Sequence, residues 1–322
     1  MYNIKSFPGN TLFLVTGGAG FIGSNLCEAI LNMGSRVRVL DNFSTGKMEN
    51  IKDFMEDGKF ELVNGDIRDI DTCTNACEGV DFVLHQAALG SVPRSVEDPK
   101  TTNDVNINGT LNMLLAARDR KVKRFVYASS SSVYGDDPNL PKVEEVVGKP
   151  LSPYAVTKKV NEMYACNFFE LYGFETVGLR YFNVFGKRQD PHSVYAAVIP
   201  IFIKKLMNNE APVINGDGTQ SRDFTYVSNV VEANLGACLA DIEVCGKAYN
   251  IACGGRMTLN DLHAVLCRLL GKNITPVYGP ERKGDIKHSN ACIEKAKAYL
   301  GFEPAVKTED GLELCIEWYK CS

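Results

Sequence analysis

The sequence predicts an α/β fold, a doubly wound parallel sheet followed by a smaller α/β C-terminal domain that binds substrate. Three observations predict it. From residue 11 to about residue 180, short β-branched apolar runs alternate with helix-length amphipathic stretches, the pattern of parallel strands covered on both faces. The first run leads straight into a glycine-rich turn, Thr16-Gly17-Gly18-Ala19-Gly20-Phe21-Ile22-Gly23. Past residue 180 the alternation weakens and turn signals multiply, at Asn215-Gly216-Asp217-Gly218, Gly254-Gly255 and Gly279-Pro280.

Taken in order, the pattern predicts strands over 11–16, 36–40, 60–63, 82–85, 125–128 and 176–179. Helices are predicted between them, including 22–32, 104–118 and 153–171. Residues 1–180 then form the sheet domain, and 181–322 form the domain closing over the carboxyl ends of its strands. A segment of about 224–252 is a candidate to return to the sheet. Repeats, low-complexity tracts and long linkers are absent from the sequence.

Composition narrows the function. The chain has 322 residues, enough for one large or two modest domains with a sizeable core. Its net charge of -4, with no basic block, argues against nucleic acid as a partner. The apolar run from Tyr195 to Ile203 is too short to span a bilayer and contains Pro200. The run Leu12 to Val15 reads as a buried strand rather than a signal segment. The expectation is a cytoplasmic protein with no membrane partner. Eleven cysteines are scattered without a Cys-x-x-Cys, which fits free thiols in a reducing compartment. Four widely spaced histidines give no metal site.

The glycine turn contains both Gly17-x-x-Gly20-x-x-Gly23 and a Gly-x-Gly-x-x-Gly ending at Gly23. Such glycines allow a tight turn, close approach of backbone to a pyrophosphate, and close helix–sheet packing, as in a Rossmann-like dinucleotide site. The helix that follows presents its free N–H groups and positive dipole end to phosphates. Asp41 ends the second strand, where a carboxylate accepts from the adenosine ribose and repels a 2′-phosphate. NAD is therefore expected over NADP. Asp66, after the third strand, is a candidate acceptor for the adenine amino group.

At the other end, Ser129-Ser130-Ser131-Ser132 directly follows the fifth strand, placing hydroxyls in the ligand crevice. Tyr154 and Lys158 are spaced to share one helix face. A free tyrosine has a pKa near ~10, and an ammonium beside it favours phenolate. Alone, such a pair usually just sits on a helix surface. Beside a serine hydroxyl and a dinucleotide, Tyr154 becomes a candidate base for a substrate hydroxyl, with Lys158 also a ligand of the nicotinamide ribose.

Together, the glycine turn, Asp41, the serine run and Tyr154-x-x-x-Lys158 resemble the extended short-chain dehydrogenase/reductase family. The likeness extends over essentially the whole chain. More narrowly the sequence is similar to UDP-hexose 4-epimerases, especially bacterial UDP-N-acetylglucosamine 4-epimerases of surface-polysaccharide pathways. The stretches that carry this are His85 to Ser95, Leu151 to Lys158, Leu179 to Gly186, Arg188-Gln189-Asp190-Pro191, Asn215 to Gly218 and Ser221 to Phe224. The resemblance implies a tightly bound NAD, regenerated each turnover. It would be held by Gly17, Gly20, Phe21, Ile22, Gly23, Asp41, Asn42, Ser44, Gly46, Asp66, Ile67, Gln86, Ala87, Ala88, Tyr154, Lys158 and Tyr181. Catalysis would fall to Ser130, Tyr154 and Lys158. A UDP-sugar would meet Gly90, Ser91, Ser130, Ser131, Ser132, Asn183, Gln189, Ala197, Val198 and Asn215. Arg222 and Arg282 would neutralise its diphosphate, Asp285 would hold a uridine ribose hydroxyl, and Ser289 would leave room for an N-acetyl group. Guanidinium forks suit phosphate oxygens. A homodimer through two helices per subunit is also implied.

Related 4,6-dehydratases place Asp-Glu just after the catalytic hydroxyl residue, and related decarboxylases carry Glu nearby. Here Ser131 and Ser132 stand there, and neutral hydroxyls serve elimination poorly. The expectation is interconversion of UDP-GlcNAc and UDP-GalNAc through a 4-keto sugar, with UDP-Glc and UDP-Gal as further candidates. A UDP-glucuronate or UDP-N-acetylglucosaminuronate 4-epimerase and a non-catalytic dinucleotide sensor are the alternatives.

Overall fold

A computed structural model describes residues 6–191, 197–281 and 287–321. Its centre is a seven-stranded sheet: β1 (Leu12–Thr16), β2 (Arg36–Asp41), β3 (Phe60–Asn64), β4 (Phe82–His85), β5 (Arg124–Ser130), β6 (Thr176–Tyr181) and β7 (Lys247–Ile251). The spatial order is β7-β6-β5-β4-β1-β2-β3, and every pairing is parallel. The order reverses between β1 and β4. In an open parallel sheet that reversal opens a crevice at the carboxyl ends of the strands.

The apolar strands sort by period two onto the two faces of the sheet. Phe13 and Val15 of β1 pack with Val37, Val39, Val126, Val177 and Tyr249, beneath helices α1 (Phe21–Asn32) and, farther along the chain, Val227–Leu239. Leu12 and Leu14 pack with Leu40, Val83, Phe125 and Tyr127, beneath α2 (Gly109–Asp119) and α3 (Pro153–Tyr172). All five β1 residues are buried, so the strand reads as a continuous apolar run.

Helix α3 has clear local punctuation. Ser152 Oγ accepts from the Ala155 N–H, Pro153 opens the first turn, and Gly173 closes the helix at φ 64. The helix predicted over 104–118 begins earlier, at Pro99. It passes through one π turn at Asp104–Asn108 before continuing as α2. The extra residue in that turn turns Asn106 inward. Its side chain accepts from Leu89 N at 2.8 Å and donates to Thr157 Oγ1 at 3.1 Å. Residues 247–251, within the segment expected to return to the sheet, pair along β6 from Val177 to Tyr181.

A second core gathers Phe185, Ile199, Phe202, Leu206, Ile214, Leu262, Leu266, Leu312 and Ile316 from helices Val198–Met207, Leu259–Leu270 and Thr308–Cys321 and their connections. The eleven cysteines are free thiols. Among the described residues no helix is long and apolar enough to cross a membrane.

Candidate active site

A cleft of about 920 Å³ opens at the carboxyl ends of β1, β2, β4, β5 and β6. That is the upper end of the usual range for small-molecule sites. Its floor is the glycine turn. Gly17 has φ 68, and a Cβ there would lie 2.8 Å from Ala87 N. A Cβ on Gly23 would lie 2.2 Å from the Gly17 carbonyl oxygen. The turn and the first turn of α1 therefore touch, and only glycine permits it. Gly20 precedes α1 with no side-chain cap, which leaves the helix's first N–H groups for a ligand.

Asp41, at the end of β2, is buried. It accepts from Ala19 N and Phe43 N at 2.9 and 2.8 Å. Burial pushes its carboxyl up, and the two backbone bonds oppose that rise. Its carboxylate thus also buckles the glycine turn to β2. Gly46 packs on it, since a Cβ there would lie 2.9 Å from Oδ2. Asp66 takes a bidentate bond from Arg68, at 3.0 and 2.6 Å, and one from Asn42 Nδ2 at 2.8 Å. The hydrogen bonds from Arg68 hold its carboxyl down, at about 2.

At the far end, Tyr154 lies near enough to Ser130 for the hydroxyl to lower the phenol's pKa, and Ser130 Oγ accepts from Ser132 N at 3.1 Å. Lys158 Nζ donates to the Ala128 carbonyl at 2.7 Å and lies 5.9 Å from the centroid of the Tyr154 ring. Burial pushes the Tyr154 phenol above its ordinary value, and the Ser130 hydroxyl opposes that. The spacing of the pair leads one to expect a lowered phenol; the direction found is upward, and burial is its largest cause. Burial also holds Lys158 down to about 8, with Glu162 opposing. Ser129 turns away from the reacting end and donates to Glu162 Oε1 at 2.6 Å, and Arg180 grips Glu162 with two bonds. Tyr181 is fixed by Gln86 Oε1 and Asn234 Nδ2 at 3.1 and 2.8 Å.

Below this end lies a buried polar chain. His85 bridges Thr16 Oγ1 and Thr110 Oγ1 at 2.8 and 3.0 Å, and burial lowers its pKa to about 3. A neutral imidazole of this kind serves as a strut between β1, β4 and α2.

These residues form one continuous site with a dinucleotide-shaped floor and a Ser–Tyr–Lys cluster at its end. The family model for the NAD dependent epimerase/dehydratase family matches residues 13–252. The chain belongs to that family. A putative UDP-glucose 4-epimerase of Methanocaldococcus jannaschii is 39% identical, with 96% of this chain and 98% of the relative covered. A solved UDP-N-acetylglucosamine 4-epimerase from Methanobrevibacter ruminantium, in complex with UDP-N-acetylmuramic acid, superposes with a TM-score of 0.92. It is 40% identical over 97% of this chain and 99% of that one. A UDP-glucuronic acid 4-epimerase from Bacillus cereus, solved with a fluorinated UDP-glucuronic acid and NAD, has a TM-score of 0.89. It is 32% identical over 97% of this chain and 99% of that one. NAD is the cofactor of this family, and the glycine floor that a Cβ would fill fits a dinucleotide pyrophosphate.

Every residue expected to hold NAD lines the epimerase-family cleft, as do Gly90, Ser130, Ser131, Ser132, Asn183, Gln189 and Ala197. Ser91 sits beside them as the cap of a short helix, accepting from Arg94 N. Val198 opens the helix Val198–Met207. Besides Ser91 and Val198, three more expected substrate residues do not line this cleft. Asn215 ends a short strand paired with Val277–Gly279. Arg222 borders a second, smaller cavity with Phe224, Arg256 and Lys307. Ser289 donates its N–H to the Ser221 carbonyl at 3.0 Å. Arg282 and Asp285 lie outside the described residues. Sequence reading missed Lys47, Arg188 and Asp190. Lys47 reaches Asp190 at 2.8 Å, joining the loop after β2 to the second half of the chain, and Arg188 is bound to Glu28 at 2.9 Å. The charged pattern Arg188-Gln189-Asp190 was visible, but its partners lie too far off in sequence to be paired by spacing.

Proposed function

We propose that this enzyme is a UDP-sugar 4-epimerase that interconverts UDP-GlcNAc and UDP-GalNAc, with UDP-Glc and UDP-Gal as a second pair. The carrying observation is the set of carboxylates on the cleft. Among the described lining residues they are Asp41, Asp66 and Asp190, bound respectively to backbone N–H groups, Arg68 and Lys47. Directly after Ser130 come Ser131 and Ser132, both neutral hydroxyls. Elimination needs an acid and a base there, whereas epimerisation needs only one group to take and return a proton.

NAD, when bound, supplies the acceptor and then the donor of the hydride at carbon 4. Ser130 hydrogen-bonds the sugar's 4-oxygen, and Tyr154 takes its proton and later returns it. Lys158 places positive charge near the phenol, which works against the burial that raises its pKa. The same face of the protein serves both half-reactions, so the keto sugar turns over while its nucleotide stays anchored. Holding the nucleotide away from the reacting carbon lets binding energy be used without fixing the sugar.

Similarity to the Methanobrevibacter enzyme and a small residue at Ser289 support the N-acetylated pair. Lys47 and Arg188 are bound to Asp190 and Glu28, so neither offers its charge to a uronate. The test is turnover of UDP-GlcNAc, UDP-Glc and UDP-GlcA without added reductant. Preference for UDP-GlcA overturns the substrate reading. Turnover of none overturns the epimerase reading. A homodimer through α3 and its neighbouring helix is part of the same proposal. Val156 and Met163 are exposed on α3, and sedimentation as a monomer would refute that contact.

A further inference from the structure

Segments far apart in sequence meet at one buried side chain, Asp223, which is 1% exposed. Its Oδ1 accepts from Cys253 N at 3.1 Å. Its Oδ2 accepts from Ala291 N at 3.2 Å and from Asn290 Nδ2 at 3.4 Å. The carbonyl of the same residue accepts from Asn183 Nδ2 at 3.1 Å. Asn183 is held at φ 37, a left-handed conformation that asparagine tolerates better than most residues, and the Asp223 carbonyl fixes its side chain there. On either side of the carboxylate run two segments in register. Ser221 N donates to the Lys287 carbonyl and Ser289 N to the Ser221 carbonyl, each at 3.0 Å. Arg222, Asn183 and Ser289, three proposed substrate residues, therefore share one anchor.

We propose that Asp223 is a positioning residue for the nucleotide sugar: it fixes Arg222, Asn183 and Ser289 relative to one another without touching the substrate. The inference rests on the UDP-sugar reading given above. A buried carboxylate is costly unless its lone pairs are filled. Here backbone N–H groups from two separate segments fill them, so removing the charge loosens both at once. The reacting groups Ser130, Tyr154 and Lys158 hang on β5 and α3, outside this anchor. Loss of Asp223 is therefore felt in binding, while the chemical step and the NAD floor are spared.

The test is Asp223→Asn, which keeps shape and removes charge, with KM, kcat, bound NAD and the Kd of UDP measured together. KM and the Kd of UDP rise about tenfold or more, the order expected when charged hydrogen bonds are lost. Meanwhile kcat stays within about threefold and NAD content stays unchanged. Unchanged KM and Kd overturn the proposal, as does a joint loss of kcat, NAD and binding in a folded variant. Should Asp223→Asn not fold, Asn290→Ala removes one donor to Asp223, along with its 3.0 Å bond to the Gly255 carbonyl. A rise of about twofold to fivefold in KM supports the anchor, and no rise overturns it. A wild type that binds UDP but turns over no UDP-sugar refutes the epimerase reading alone, because the Kd of UDP still reports on Asp223.

Discussion

Gly23→Ala is the sharpest perturbation of the cofactor floor. The added Cβ would stand 2.2 Å from the Gly17 carbonyl oxygen and 2.7 Å from the Gly18 Cα. Both are backbone atoms, so no rotamer change relieves the clash. Gly17 cannot retreat, because its own Cβ position already lies 2.8 Å from Ala87 N. Relief needs about 1 Å of movement between the turn and α1, at the upper end of the ~1–3 kcal/mol typical of overpacking. In a chain of this size that lowers Tm by roughly 4 °C. The same movement withdraws the helix N–H groups from the pyrophosphate, so the purified variant carries little NAD. Gly20→Ala meets the Gly17 carbonyl oxygen at 3.1 Å, and Gly90→Ala meets nothing within 4 Å. The expected order of damage is Gly23, then Gly20, then Gly90. The assay is nucleotide released on denaturation, with Tm alongside. Full NAD content in Gly23→Ala, or an equal loss in Gly90→Ala, would refute the argument from backbone clearance.

Other expectations follow from the same site. Tyr154→Phe should lower kcat by about 10²–10⁴ while UDP-sugar binding and NAD survive, and near wild-type turnover would remove Tyr154 from its role. Because Lys158 is held down to about 8, its ammonium is complete at lower pH and is lost as pH rises through that value. The value of kcat should therefore decline with a midpoint near pH 8, and a profile flat to about pH 9.5 contradicts this. Ser289→Tyr should abolish turnover of the acetylated pair and spare UDP-Glc and UDP-Gal, because a phenol ring would fill the acetyl space. Equal effects on both pairs would take Ser289 out of the specificity argument.

The sheet and the cofactor floor were legible because their signals are local. The glycine turn, the strand before it and the acid after β2 lie on one short stretch, and each needs only its neighbours to be interpreted. The Ser130–Tyr154 contact was legible at one remove, through the spacing of the catalytic pair and the position of the serine run after β5. What stayed hidden depends on contacts between distant segments. Asp41 as a buckle on Ala19, the Lys47–Asp190 bridge and the Asp223 anchor join residues that no periodicity relates. The π turn was hidden for a different reason. Asp104–Asn108 carries an ordinary helical pattern, and the turn is stabilised by Asn106 reaching Leu89. The upward direction at Tyr154 was not legible because sequence gives spacing and not burial, and burial is the largest cause here.

The placement of β7 bears on how the protein is made. Its strand partner β6 ends at Tyr181, but β7 begins only at Lys247, with the segment between them contributing to the second core. A ribosome that has released the first six strands has released a sheet with an open edge at β6. An open parallel edge is a template for wrong pairing. The nascent chain must hold that edge through the synthesis of the intervening segment, about 3–13 s at ordinary elongation rates. The two halves are therefore completed as one event. Chain termination before β7 would leave the fully buried strand β6 as the sheet's edge, and such a fragment is expected to aggregate.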